Sequence, residues 1–102
     1  MKDEQFDKQA FINKCLIDCE HAHESISGDF SRLAIYGDAL VRLAKAHQTA
    51  GNLKAALGIY KKARAAFFIA SCIKPSCQKR VAELETVIEN LMDAIGKNGR
   101  NL

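Results

Sequence analysis

Four cysteines and three histidines could hold a metal, form a disulfide or move a proton at neutral pH. Cys15, Cys19 and His23 recur at four-residue steps, so a helix places them on one face. A rise of about 1.5 Å per residue puts the outer two about 12 Å apart along the axis. One zinc ion, with bonds near about 2.0–2.3 Å, therefore takes only an adjacent pair. Cys72, Cys77, His21 or His47 would have to complete the site, and nothing in their spacing demands it. No metal and no cofactor are expected. Cys15, Cys19 and Cys72 read as reduced, mostly buried core residues. Cys77, just past Pro75 and near Lys74, Lys79 and Arg80, reads as the most reactive thiol, because positive neighbours favour the thiolate. The opening Met1-Lys2-Asp3-Glu4-Gln5 is charged where a secretory leader would be apolar. The longest apolar run, residues 65–73, is too short to span a bilayer. Both features predict a reducing, cytoplasmic setting.

Proton-transfer chemistry has one candidate, the run Arg42-Leu43-Ala44-Lys45-Ala46-His47. Its Arg-x4-His pattern is similar to that of HEPN-domain ribonucleases. The resemblance implies an RNA-cleaving dimer, with Arg42 and His47 at the interface and the histidine in acid–base chemistry. The residues by themselves predict otherwise, since five positions on a regular helix diverge by about 140° and leave the pair on different faces. No phosphate-binding glycine loop, nucleophile elbow or metalloprotease helix is present, so a non-catalytic protein is expected.

The elements that must position these residues are helices. One proline, five Phe and two Tyr, and few Ile/Val/Thr clusters argue against a sheet. The predicted fold is a small antiparallel four-helix bundle, with helices near 3–25, 30–50, 53–73 and 76–95. Breaks fall at Ser27-Gly28-Asp29, at Gly51-Asn52, where glycine can turn left-handed, and at Pro75. Residues 1–95 read as one domain, the first helix plus a unit over 30–95, and 96–102 as a flexible tail. Ile12, Cys15, Leu16, Cys19, Ala22 and Ile26 form one apolar stripe; Val81, Leu84, Val87, Ile88, Leu91 and Ile95 form another. The third helix differs: Ala65-Ala66-Phe67-Phe68-Ile69-Ala70 is apolar all round. It needs cover on more than one side, from the first and fourth helices or from a partner.

Leu43-Ala44, His47, Gly51, Ala56, Tyr60 and Ala63 describe two helices packed closely around a tight turn. This spacing resembles one tetratricopeptide repeat. The chain departs from that pattern at Leu40 for Trp, Ala44 for Gly, His47 for Tyr and Phe68 for the closing Pro. The stretch 31–95 also resembles a microtubule-interacting-and-trafficking domain. The resemblance rests on Ala50-Gly51-Asn52-Leu53-Lys54-Ala55-Ala56-Leu57-Gly58-Ile59-Tyr60-Lys61-Lys62-Ala63 and the following Ala66-Phe67-Phe68. It implies a three-helix unit whose grooves take short helical motifs of filament-forming or trafficking proteins.

Net charge is only +3, but it is unevenly distributed. Residues 1–29 carry three lysines against seven carboxylates, net −4, whereas 39–82 has no Asp or Glu and nine Lys or Arg. Such a field attracts an acidic partner, or is met internally by the first helix. Nucleic acid is disfavoured, because no exposed aromatics interleave with the bases. The sequence thus predicts an interaction module or adaptor that binds a short acidic helical segment beside the fourth helix. The expected contacts are Lys61, Lys62, Arg64, Lys79, Arg80 and Met92. A cochaperone for one client is the alternative non-enzymatic role, and a homodimer through Phe67 and Phe68 is a further partnership the sequence allows.

Overall fold

The computed structural model describes residues 8–26 and 32–100, as α1 (Lys8–Ile26), α2 (Leu33–Thr49), α3 (Leu53–Ser71), a short 3-10 helix (Pro75–Cys77) and α4 (Gln78–Arg100). The expected all-α class and four-helix bundle are what the chain forms. The predicted start of the first helix and the Ser27-Gly28-Asp29 break lie outside the described residues.

The chain reverses between α2 and α3 at Gly51, whose φ of 88° is left-handed. Asn52 N–H donates to the His47 carbonyl at 2.8 Å, and Gly51 N–H to that of Gln48 at 3.0 Å. These two bonds are a Schellman closure, which satisfies carbonyls that a helix end otherwise leaves unpaired. A Cβ at Gly51 would meet nothing within 4 Å, so the demand for glycine is conformational and not steric. So short a connection makes α2 and α3 antiparallel neighbours. Ala44, Ala56 and Ala63 are 0% exposed, as expected for small residues on a close helix seam. Tyr60 is buried beside them, and its hydroxyl donates to Gln48 Oε1 at 2.9 Å.

Each helix packs chiefly on its neighbour in sequence: α1 on α2, α2 on α3, α3 on α4. The result is a flattened body of 43 × 35 × 17 Å. Its radius of gyration, 15.0 Å, exceeds the roughly 13 Å of an equally long compact domain. Cover for α3 therefore comes from α2 and α4, with α1 lying on α2. Ala66, Phe67 and Ala70 are buried, whereas Ala65, Phe68 and Ile69 face outward. One side of the all-apolar stretch is left open.

Phe67 is the largest fully buried side chain. Its ring lies against Gly37 of α2, where a Cβ would come within 2.8 Å of Cε2. Arg80 of α4 covers the ring with its guanidinium carbon 4.6 Å from the centroid. Arg80 also pairs with Asp38 of α2 at 2.9 Å and with Glu83 at 3.6 Å. Asp38 and Arg80 are about half exposed, so the ion pair itself adds only about 0.2–1 kcal/mol. Phe67, at 1% exposure, cannot form a homodimer surface; only Phe68, at 63%, remains available for one.

Pro75 holds Lys74 extended, at φ −125° and ψ 93°, and opens the 3-10 helix with no side-chain cap from Ser76. This turn folds Cys77 inward against α3 and leaves Cys72, just past the end of α3, exposed. The sequence expectation for these two thiols is thus reversed. α4 runs on to Arg100, beyond the boundary expected at 95, and the Asp93–Lys97 pair at 3.4 Å supports the added turn.

Phe67→Ala should cost about 3–5 kcal/mol in urea denaturation, because it empties a site closed on three sides. Ala56→Leu should cost about 1–3 kcal/mol by overpacking the seam, and Gly51→Ala about 1–2 kcal/mol by forcing a Cβ into left-handed backbone. A parent-like midpoint for Ala56→Leu would contradict the close α2–α3 approach.

Candidate functional site

Chain-order packing leaves troughs between helices that are not direct neighbours. One of them, about 490 Å³, lies over α2 between α1 and α3. Tyr36, Leu40, Leu43 and His47 recur at three- and four-residue steps of α2 and form its floor. Leu16, Cys19, Glu20, His23 and Glu24 of α1 form one wall; Ile59 and Lys62 of α3 form the other. The trough is apolar below and oppositely charged at its rims.

Its polar groups are held in place locally. His23 meets Tyr36 edge to face, with centroids 5.1 Å apart and planes at 64°. Asn52 Nδ2 lies 3.3 Å from His47 Nδ1; when it donates there, the imidazole proton sits on Nε2. Burial pushes the Tyr36 phenol above its ordinary pKa, and Cys19 adds to the shift. Burial also raises the Cys19 and Cys15 thiols, reinforced by Cys15 and Asp18 respectively and opposed by Arg42. Neither is disposed to ionise. Among the described residues no three His, Cys, Asp or Glu side chains cluster so as to hold a metal ion.

Arg42 and His47 lie five residues apart on α2, a spacing that turns them about 140° from one another. His47 lines the trough and is tethered by Asn52, whereas the charge of Arg42 acts at the Cys15–Cys19 pair.

The residues expected to bind a partner are distributed over several faces. Arg64, Ala65 and Phe68 of α3 face Val81 and Glu85 of α4 across a groove of about 250 Å³. Lys61, three residues before Arg64, and Met92, seven after Glu85, share the helix faces of these lining residues but do not line the groove themselves. Both are exposed. Lys62 instead belongs to the α2 trough, and Lys79, also exposed, lies off the groove wall. Arg80 is engaged with Phe67, Asp38 and Glu83. A third hollow, about 330 Å³, separates Gln48 and Tyr60 from Val87, Asn90, Leu91 and Ala94 on the opposite flank of α3–α4.

Leu43, Ala44, Ala56, Tyr60 and Ala63 are all buried in the core that contains the hairpin. His47 is half-buried and Gly51 forms the exposed turn. Sequence reasoning missed Gly37 and Asp38. Their signal was a glycine inside a periodic helix, where it is unfavourable unless another group needs the space. The last carboxylate before a long acid-free stretch followed directly after it. Comparison with protein families, with curated proteins and with solved structures finds no match to this chain.

Under native conditions a maleimide should modify Cys72 first, with Cys15, Cys19 and Cys77 reacting only on unfolding. Peptide mapping after brief labelling checks this; rapid labelling of Cys77 would contradict its inward placement.

Proposed function

We propose that the chain is a non-catalytic interaction module that receives a short acidic amphipathic helix of a partner protein along the α3–α4 groove. The observation that carries this reading is the outward-facing apolar set at the end of α3 and just past it, with Phe68 63% and Ile69 49% exposed on the helix and Ile73 55% exposed in the turn that follows. Phe68 and Ile69 sit on a helix whose charged residues are all basic. Apolar anchors spaced three or four residues apart would pack on Phe68, Val81 and Met92, with carboxylates toward Lys61 and Arg64. Glu85 repels a carboxylate on the α4 side and so fixes which flank of the incoming helix faces α3.

The resemblances to tetratricopeptide repeats and to microtubule-interacting-and-trafficking domains support the same use of the fold. The charge pattern adds to this. Among the described residues the ion pairs are Asp38–Arg80, Glu83–Arg80 and Asp93–Lys97, so Lys61 and Arg64 remain available.

Affinity capture from native lysate at low and high salt should recover a partner whose retention falls as salt rises. Lys61→Glu with Arg64→Glu should slow association about tenfold or more, within the one to three decades over which association rates vary at one interface. Unchanged capture by this variant, with a parent-like melting curve, would eliminate the basic-groove reading.

A further inference from the structure

The two described surfaces are complementary to one another, and the geometry points to a second copy of this chain as a partner. The outer face of α3 in one copy, led by Phe68, docks in the trough over α2 of the next. This inference rests on the preceding reading of α3 as a binding face and names what that face meets.

The trough offers what the face lacks. Its floor and walls present Leu40, Leu43 and Ile59 around a volume of about 490 Å³, enough for an aromatic side chain and its apolar neighbour Ile69. Glu20 and Glu24 stand on the α1 wall, separated by about one helical turn. Among the described residues neither carboxylate forms an ion pair. Lys61 and Arg64 approach Phe68 at seven- and four-residue steps on the incoming helix, which gives two bases to face two carboxylates. Lys62 on the opposite rim repels those bases and directs them to the α1 wall.

The inference also accounts for the charge distribution. The net −4 of residues 1–29 and the nine bases of 39–82 lie in one chain, yet no described ion pair joins an α1 carboxylate to any of those bases. Between copies, the acidic wall and the basic face meet.

Because the donor face and the acceptor trough are different surfaces, the contact is heterologous. Each copy can use both, so association continues past a dimer until it closes as a ring or extends as a filament. A symmetric Phe68-to-Phe68 dimer would stop at two.

Sedimentation velocity over a concentration series separates these cases. The parent chain should gain mass beyond a dimer as concentration rises, and lose it at high salt. Phe68→Asp blocks the face, and Glu20→Lys with Glu24→Lys blocks the trough. All three positions are exposed, and each variant should melt like the parent yet stay monomeric. Mixed one to one, each contributes the surface the other lacks, and the mixture should form a heterodimer and nothing larger. A parent chain that is monomeric at every concentration would overturn the inference. So would a trough variant that still dimerises by itself, or a mixture that remains monomeric. Titrating a synthetic acidic amphipathic helix onto the trough variant tests the groove reading separately. Binding that is lost with Lys61→Glu and Arg64→Glu would uphold that reading even where self-association fails.

Discussion

Phe67 joins three helices through one aromatic ring. It projects from α3, lies on the bare backbone of Gly37 in α2, and is covered by the Arg80 guanidinium of α4. Asp38, next to Gly37, pairs with Arg80 and closes the arrangement. Glycine inside a helix costs roughly 1 kcal/mol relative to alanine. Here the absence of a side chain is what admits the ring, and the buried aromatic surface outweighs that cost. Without this contact the α2–α3 seam would still form, but α4 would lose its cation–π contact with α3 and be tied to α2 mainly through the Arg80–Asp38 pair.

The same arrangement decides which surfaces remain for binding. With α2 and α4 on two sides of α3, and α1 on α2, no element of the described chain covers the outer side of α3. Phe68 is left in water next to a residue that is almost wholly buried. The trough over α2 has the same origin: α1 and α3 both rest on α2 and are separated by its width. A four-helix bundle closed around one axis would have neither surface. Both surfaces are thus products of the order of packing, while burial raises the Cys15 and Cys19 thiols, Asn52 lies beside His47 and His23 stacks on Tyr36.

Much of this was legible in the sequence because it is written in local terms. Gly51 signalled a left-handed turn, Ala44, Ala56 and Ala63 a close seam, and the apolar periods the buried faces of α1 and α4, save Leu16, which is 46% exposed. What was not legible depends on rotation and long-range neighbours. Two adjacent phenylalanines read alike, yet about 100° of helix rotation separates core from surface. Cys72 and Cys77 exchanged roles because a 3-10 turn after Pro75 sets a phase that sequence spacing does not contain. Arg80 read as a free base, since its partner Asp38 lies forty-two positions earlier and its aromatic partner on a third element. The α2 trough was invisible for the same reason: its three walls come from three helices.

Chain-order packing also governs how the molecule opens. Helices that dock mainly on sequence neighbours close short loops, and low sequence separation of contacts favours rapid folding. It also grades stability along the chain. α2 and α3 are each held on two sides, whereas α1 and α4 each rest mainly on one neighbour. Amide protons of the central hairpin therefore exchange only through near-global opening, while those of the outer helices exchange through smaller excursions that leave the hairpin intact. The acidic wall belongs to one of these outer helices and the α4 side of the basic groove to the other. Each of these two troughs is therefore built from a fixed central helix and a more yielding outer one, so a ligand that bridges the two would slow exchange most in the outer helix it touches.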